Sequence, residues 1–429
     1  MRAYLPFVLF LLCVSCGDTV FAQKSPLGEL LKDIDVAPHW IYDDWPKATA
    51  EAKATGKPLL VVIRCVPCPP GRTLDGQVMM PDGDLEKLEK EFVCVRIIQT
   101  NGLDLKTFQF DFDMSWSAMF LNSDLTIYGR YGTRASSGAG SDNLLTLAAF
   151  RRAAERALAL HKNYPANKAT LTAKTGPEPE YAVPEKTPGL TDKPTPATTK
   201  QNCIHCHMVK EFAMRAKWEA GKLSAKDLYV FPMPERIGLS FDIADGLLVK
   251  NVQEDSAAAA AGIKPGDSLV SFGGQPLIST ADVQWVLNAA PATATLPVTF
   301  RRGEQILEKT VKLSGNWKEY DIGWRASSWY ALRQGVKFEP LPAAERTNRG
   351  IAEGKLALVL KGLYGKGGPK MTQAGLKQGD VIIAIDGKSD VLSESEFLVN
   401  LRLHYGPNDS VKLTVLRGQE QKEFTVPLW

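Results

Sequence analysis

The sequence predicts a multidomain chain: an α/β domain, a Pro-rich linker, a short helical segment and a repeated α+β module. Three observations predict it. Residues 30–163 alternate helix-like and strand-like stretches. Residues 164–200 are dominated by Pro, Thr, Lys and Glu, with no apolar period running through them. Beyond them, A-G-[IL]-K-x-G-D occurs twice, each time followed by a strand pattern and a glycine turn. A length of 429 residues suits about three domains.

The first 22 residues, "MRAYLPFVLFLLCVSCGDTVFA", carry an early charge at Arg2 and an apolar run to about Val14. Val20 and Ala22 fit the small-residue pattern before a cleavage site. This reads as a secretory signal peptide, since the run is too short to span a bilayer. Lipidation at Cys16 is the alternative. The expected location is the periplasm or cell envelope, with no later membrane span and with a lipid anchor as the variant reading. Lys plus Arg is 51 and Asp plus Glu is 48, so the basic excess of a nucleic-acid binder is lacking. Five cysteines follow residue 22: two CxxC pairs and Cys94. Cys94 lies in the buried-strand pattern "FVCVRII" and reads as an inert small core residue.

Within 30–163, "DDWPKATAEAKATGK" is helical and "PLLVVIR" is a β-branched run suited to a central strand. Cys65-Val66-Pro67-Cys68 follows at once. After "FVCVRII" come "AMFLN" and "TIYGRYG" as a hairpin pair, then the helix "NLLTLAAFRRAAERALALHKN". This order, with a CxxC after a buried strand, resembles a thioredoxin fold. A thiol at a helix N-terminus is favoured as thiolate, with Arg64 adding to the effect. Cys65 would then attack a partner disulfide and Cys68 would resolve the mixed disulfide. A static disulfide is the alternative. The chain departs from the thioredoxin pattern in three places. The strand "PLLVVIR" lacks an acid, Trp116 and Ser117 stand where a cis-Pro is expected, and Pro69 and Pro70 distort the helix start.

The linker, 164–200, is expected to be extended and semi-rigid. The segment 201–233 opens with Cys203-Ile204-His205-Cys206-His207, the spacing of c-type haem attachment. Haem would bond to Cys203 and Cys206, with His207 as proximal and Met233 as distal ligand. A disulfide remains open, as does zinc on Cys203, Cys206, His205 or His207 with ligands from elsewhere. Five histidines leave little material for a multi-His metal site.

The repeats "AAGIKPGDSLVSFGGQPL" and "QAGLKQGDVIIAIDGKSD" resemble the PDZ domain, giving PDZ modules at 234–315 and 330–429. Gly262, Gly266, Gly375 and Gly379 would supply the turns. The resemblance implies capture of a protein C-terminus by strand addition. In the first copy the loop would be Ile237, Gly238, Leu239 and Phe241, with Val283 and Val286 on the facing helix. The second copy is a weaker match, centred on Gly335 and Phe338, and its helix would be "SESEFLVNLRLH". No G-x-S-x-G accompanies the modules.

The parts in this order, with "FDFDMSWSAMFLNSDLTIYGRYGTR" and "ADVQWVL", resemble the thioredoxin-like/PDZ (seleno)protein family of bacteria. The resemblance implies an exported, redox-linked protein. Both CxxC sites carry Cys, so selenol chemistry is not implied. The reading is a scaffold joining thiol–disulfide exchange to partner binding. Its alternatives are an electron-transfer protein with haem c and a non-catalytic binding protein with static disulfides.

Overall fold

The structure is a computed structural model that describes residues 21–132, 144–390 and 392–429. All but the last two residues of the predicted signal peptide lie outside the described residues, as does Cys16. Among the described residues no helix is long and apolar enough to cross a membrane.

The N-terminal unit begins with α1 (Pro26–Leu31), β1 (Trp40–Tyr42), α2 (Trp45–Thr55) and β2 (Leu59–Arg64). Then come α3 (Arg72–Met79), α4 (Gly83–Glu89), β3 (Val93–Ile97), β4 (Trp116–Leu121), β5 (Ile127–Tyr131) and α5 (Leu147–Lys162). The sheet order is β1-β3-β2-β4-β5. The first three strands are parallel, and β4 and β5 run antiparallel. Strand β2 is the middle strand and is buried on both faces, as its unbroken β-branched run requires. Helix α2 begins where the Asp44 carboxylate accepts the Lys47 N–H, and it stops at left-handed Gly56.

Residues 164–200 are not a free linker. They form α6 (Lys168–Leu171) and short 3₁₀ turns, with Leu171, Lys174, Thr187, Leu190 and Ala197 buried. The loop after β3 supplies their partners. Leu105 N–H donates to Ala182 O, Gly102 N–H to Glu185, and Ala197 N–H to Gln99. Composition suggested an extended linker, but the loop after β3 folds the segment into turns by satisfying its backbone.

Helix α7 (Cys206–Glu219) and the short α8 (Ala225–Leu228) follow. The first C-terminal unit holds β6 (Leu239–Phe241), β7 (Val249–Val252), α9 (Ala257–Ala260), β8 (Ser268–Phe272), β9 (Gln275–Pro276), α10 (Thr280–Ala289), β10 (Ala294–Arg302) and β11 (Gln305–Leu313). Its sheet runs β11-β10-β8-β9, beside a β6–β7 hairpin. The second unit holds α11 (Ala326–Arg333), β12 (Val336–Pro340), α12 (Ala343–Asn348), β13 (Leu358–Leu363), α13 (Gly367–Gln373), β14 (Val381–Ile385), α14 (Glu394–His404), β15 (Ser410–Arg417) and β16 (Glu420–Pro427). Its five strands are ordered β12-β13-β14-β15-β16.

The repeat is matched side chain by side chain. Asp267 accepts the Lys264 N–H and pairs with Arg302, which also donates to Gly262 O. Asp380 accepts the Lys377 N–H and pairs with Arg417, which also donates to Gly375 O. The four repeat glycines all have positive φ, as their turns demand.

Candidate functional site

Pro69 and Pro70 set the local geometry of Cys65 and Cys68. The residues after β2 form a turn closed by Cys68 N–H on Cys65 O at 3.0 Å, and α3 starts only at Arg72. Gly71 bridges the two with φ +81, and a side chain there would strike Cβ of Trp116. The thiols therefore do not sit at a helix N-terminus, which corrects that expectation. Arg64 also acts differently from expected. Its guanidinium turns inward to Asp75 at 3.1 Å and to the carbonyls of Cys68, Pro70 and Ser115. It fixes the backbone of the turn more than it serves the thiols.

Two acids from outside β2, Asp33 and Asp75, are buried beside it. Arg96 is buried between Asp33 and Asp75, with N–O distances of 2.6–3.0 Å. Trp116 Nε1–H donates to Asp75, and the Tyr42 hydroxyl donates to Asp33. Burial works to raise the Asp33 carboxyl, but the hydrogen bonds and charge of Arg96 hold it below its ordinary value. Charges at sequence positions 33, 64, 75 and 96 gave no local signal of this cluster.

The decisive contact crosses 140 residues. His205 Nδ1 lies 3.2 Å from Cys65 Sγ, and the two sulfurs of Cys65 and Cys68 are 2.7 Å apart. The loop after β3 places His205. Asn101 accepts the Ile204 N–H at 2.7 Å and donates to the carbonyls of Asn202 and Pro194. The Thr100 hydroxyl donates to Ile204 O at 2.8 Å. Cys203 and Cys206 are thereby buried in the cores on either side of the sheet, Cys206 in the same core as Cys65.

The two CxxC thiols are unequal. Cys65 is buried, while Cys68 is partly exposed. The hydrogen bond from Cys65 brings Cys68 down to about 4, against burial and with help from the hydrogen bond and charge of His205. The same hydrogen bond, with burial, pushes Cys65 far upward. Of the two, the partly exposed Cys68 is the one whose thiolate form the hydrogen bond favours. Burial lifts Cys203 to about 11 and Cys206 to about 12.

The residues present do not fit the expected haem. Cys203 and Cys206 face protein interiors rather than a shared open face. The ring of Tyr330 stacks on His207 with centroids 5.1 Å apart, and His207 Nδ1 sits 3.4 Å from Glu211. Met233 is held beside α10, its sulfur accepting from Gln284 at 3.1 Å. The CxxCH spacing is real, but the fold spends its thiols on packing and its first histidine on Cys65.

The expected peptide-groove residues are mostly interior. Ile237, Leu239, Val283 and Val286 belong to the core of the first C-terminal unit, and Phe241 packs at its edge. Gly238 has φ +85, with Ser256 against the position of any added side chain. The outer face of α10 is docked on the N-terminal unit. Asp282 pairs with Lys174 at 2.8 Å, and Trp285 stacks under Arg130 at 3.7 Å. In the second unit, Glu394 on α14 accepts the Phe338 N–H of β12 and pairs with Arg333. The backbone donor that an added strand would use there is already taken.

A family model for thioredoxin-like proteins matches residues 40–122. A PDZ-domain model matches residues 235–313 and again 366–428. The chain contains a thioredoxin-like domain followed by PDZ domains. The β2-turn-α3 cysteines belong to the thioredoxin-like domain, and α10 and α14 to the PDZ domains. The periplasmic serine endoprotease DegP of Escherichia coli (strain K12) is 30% identical over 146 residues, covering 34% of this chain and 27% of DegP. A probable periplasmic serine endoprotease DegP-like of Pseudomonas putida (strain W619) is 29% identical over 192 residues, 43% of this chain and 38% of that protein. The chain thus spans between about a quarter and two fifths of these relatives. Among solved structures, the HtrA3 PDZ domain bound to a phage-derived ligand (FGRWV) aligns with 18% of this chain and 75% of its own, at 23% identity and a TM-score of 0.16.

Proposed function

We propose that this protein is an exported thiol–disulfide exchange scaffold, with Cys68 as nucleophile and its first PDZ domain engaging a protein partner through its C-terminus. The observation that carries it is the partly exposed Cys68 sulfur 2.7 Å from Cys65, which in turn meets His205 Nδ1 at 3.2 Å. In the forward step the Cys68 thiolate attacks one sulfur of a partner disulfide. A mixed disulfide forms and the other partner sulfur leaves as thiolate. Cys65 then gives up its proton to solvent and attacks Cys68. A Cys65–Cys68 disulfide forms and the second partner thiolate is released. The partner gains two electrons and the protein loses them. Arg64 and Asn101 are positioning residues that hold the turn and the histidine.

Insulin reduction and the reduction potential of the pair test the exchange. A potential near the roughly −270 mV of thioredoxin supports it, and one far below marks a structural disulfide. Cys68→Ser should abolish turnover, and Cys65→Ser should trap a mixed disulfide. The PDZ arm is tested by binding of a peptide with an apolar C-terminal residue. Amidating that terminus should remove binding. Expression with a c-type maturation system should yield a colourless protein, and colour surviving on a denaturing gel would restore haem.

A further inference from the structure

We propose that the Cys65–Cys68–His205 cluster is a binding site for one soft late-transition-metal ion, of the Cu(I) or Zn(II) class. The inference goes beyond the exchange reading and stands without it, because it needs only the donor geometry.

The donor set is two thiols and one imidazole, drawn from a turn and from a segment 140 residues away. Both sulfurs and a ring nitrogen of His205 lie within 4.8 Å of one another. With metal–sulfur bonds of about 2.3 Å and metal–nitrogen bonds of about 2.0 Å, tetrahedral donors stand roughly 3.5–3.8 Å apart. The Cys65 Sγ to His205 Nδ1 distance of 3.2 Å is already near that value. The two sulfurs, at 2.7 Å, must open by about 1 Å, which a rotamer change of Cys68 on its partly exposed turn supplies.

One further feature suits a metal centre. Asn101 and Thr100 fix the His205 segment through backbone bonds, so the imidazole arrives pre-aimed. The three donors suit trigonal Cu(I), or a tetrahedral ion whose fourth position is filled by solvent. On binding, the ion replaces the Cys65 proton, which leaves to solvent, and no electron is transferred. Oxidation of the thiols to a disulfide would remove both sulfur donors and release the ion.

The test uses the full-length protein, fully reduced without oxygen and cleared of metal. Zn(II) and Cu(I), the latter supplied from a weak chelator complex, are titrated separately and retained metal is counted after desalting. Co(II) substitution reports thiolate ligation through its sulfur-to-metal absorption band. We expect close to one equivalent of at least one ion. His205→Gln, at a partly exposed position that tolerates the change, should lower affinity at least tenfold. Cys68→Ser should abolish retention and the Co(II) band. Cys94→Ser alters the separate His39–Glu89–Cys94 group and should leave stoichiometry unchanged. No retained metal in the reduced wild type overturns the proposal. So does unchanged affinity in both His205→Gln and Cys68→Ser, or loss of the ion in Cys94→Ser alone. Insulin reduction by metal-free protein is scored separately, so the two readings fail independently.

Discussion

Asn101 holds a stretch of backbone a hundred residues away, and the position of His205 beside Cys65 depends on it. Its amide satisfies Ile204, Asn202 and Pro194 together. Asn101→Ala would free the segment that carries His205. The Cys68 value of about 4 should then move toward the ordinary thiol range of about 8.5. Alkylation of the C65S protein's remaining reactive thiol would be a poor probe, because Cys65 is itself the hydrogen-bond donor. The wild-type pH–rate profile for iodoacetamide is the right measurement. Its midpoint should lie far below 8, and Asn101→Ala and His205→Ala should both shift it upward. The sign for stability follows. The folded value is below the unfolded one, so the contribution is complete above about 8.5 and lost as pH falls toward about 4.

At the scale of elements, α7 spans the distance from the cysteine cluster to the second PDZ domain. Its 14 residues reach about 21 Å. The Arg215 guanidinium on α7 donates to Tyr330 O on α11, and Trp218 Nε1–H donates to Tyr405 O beyond α14. Lys210 is half-buried in the middle, 3.8 Å from Asp113. Burial brings it down to about 8 although Asp113 opposes the shift. The unfolded lysine, near 10.4, binds more protons than the folded one between those values. Stability should therefore rise with pH from about 8 to about 10, by about 3 kcal/mol in total. Denaturant unfolding of wild type and Lys210→Met at several pH values measures it. The difference between them should shrink as pH rises through that window.

Asp113 also anchors α11. It accepts from Ser327 N–H and hydroxyl and from Arg325, which reaches Asp111 as well. Asp113→Ala should cost about 3–5 kcal/mol, since it strips a buried cation of one of its two counter-charges and orphans a helix N–H. Chemical denaturation would show this as a lower midpoint with unchanged slope.

For the whole molecule, the contact that fixes the first PDZ domain on the thioredoxin-like domain is Lys174–Asp282. Both side chains have 0% exposure. Asp282 also accepts the backbone N–H groups of Arg130 and Ile278. Asp282→Ala leaves Lys174 as an unpaired buried charge, at a cost of about 3–5 kcal/mol. The expected result is earlier proteolytic cleavage within 164–200 and a larger radius of gyration by small-angle scattering. An unchanged radius and cleavage pattern would mean that the other domain contacts suffice.

Much of this architecture was legible along the chain. The β-branched run at 59–64 made a central strand, because a run buried on both faces leaves only that place in a sheet. The doubled A-G-[IL]-K-x-G-D showed the PDZ pair, because its turns need glycine wherever the module occurs. The two prolines after Cys68 forecast a displaced helix start, since proline cannot sit past a helix's first turn without losing a hydrogen bond. These are local effects, carried by neighbouring residues, and the sequence by itself determined them. Tertiary structure decided the rest. That Cys65 is buried beside Cys68, that His205 rather than His207 meets Cys65, and that 164–200 packs on the loop after β3 all depend on partners far away in sequence. Hydrogen bonds, burial and charge act over a few ångströms of space, and a separation of 140 residues says nothing about whether two groups will share it.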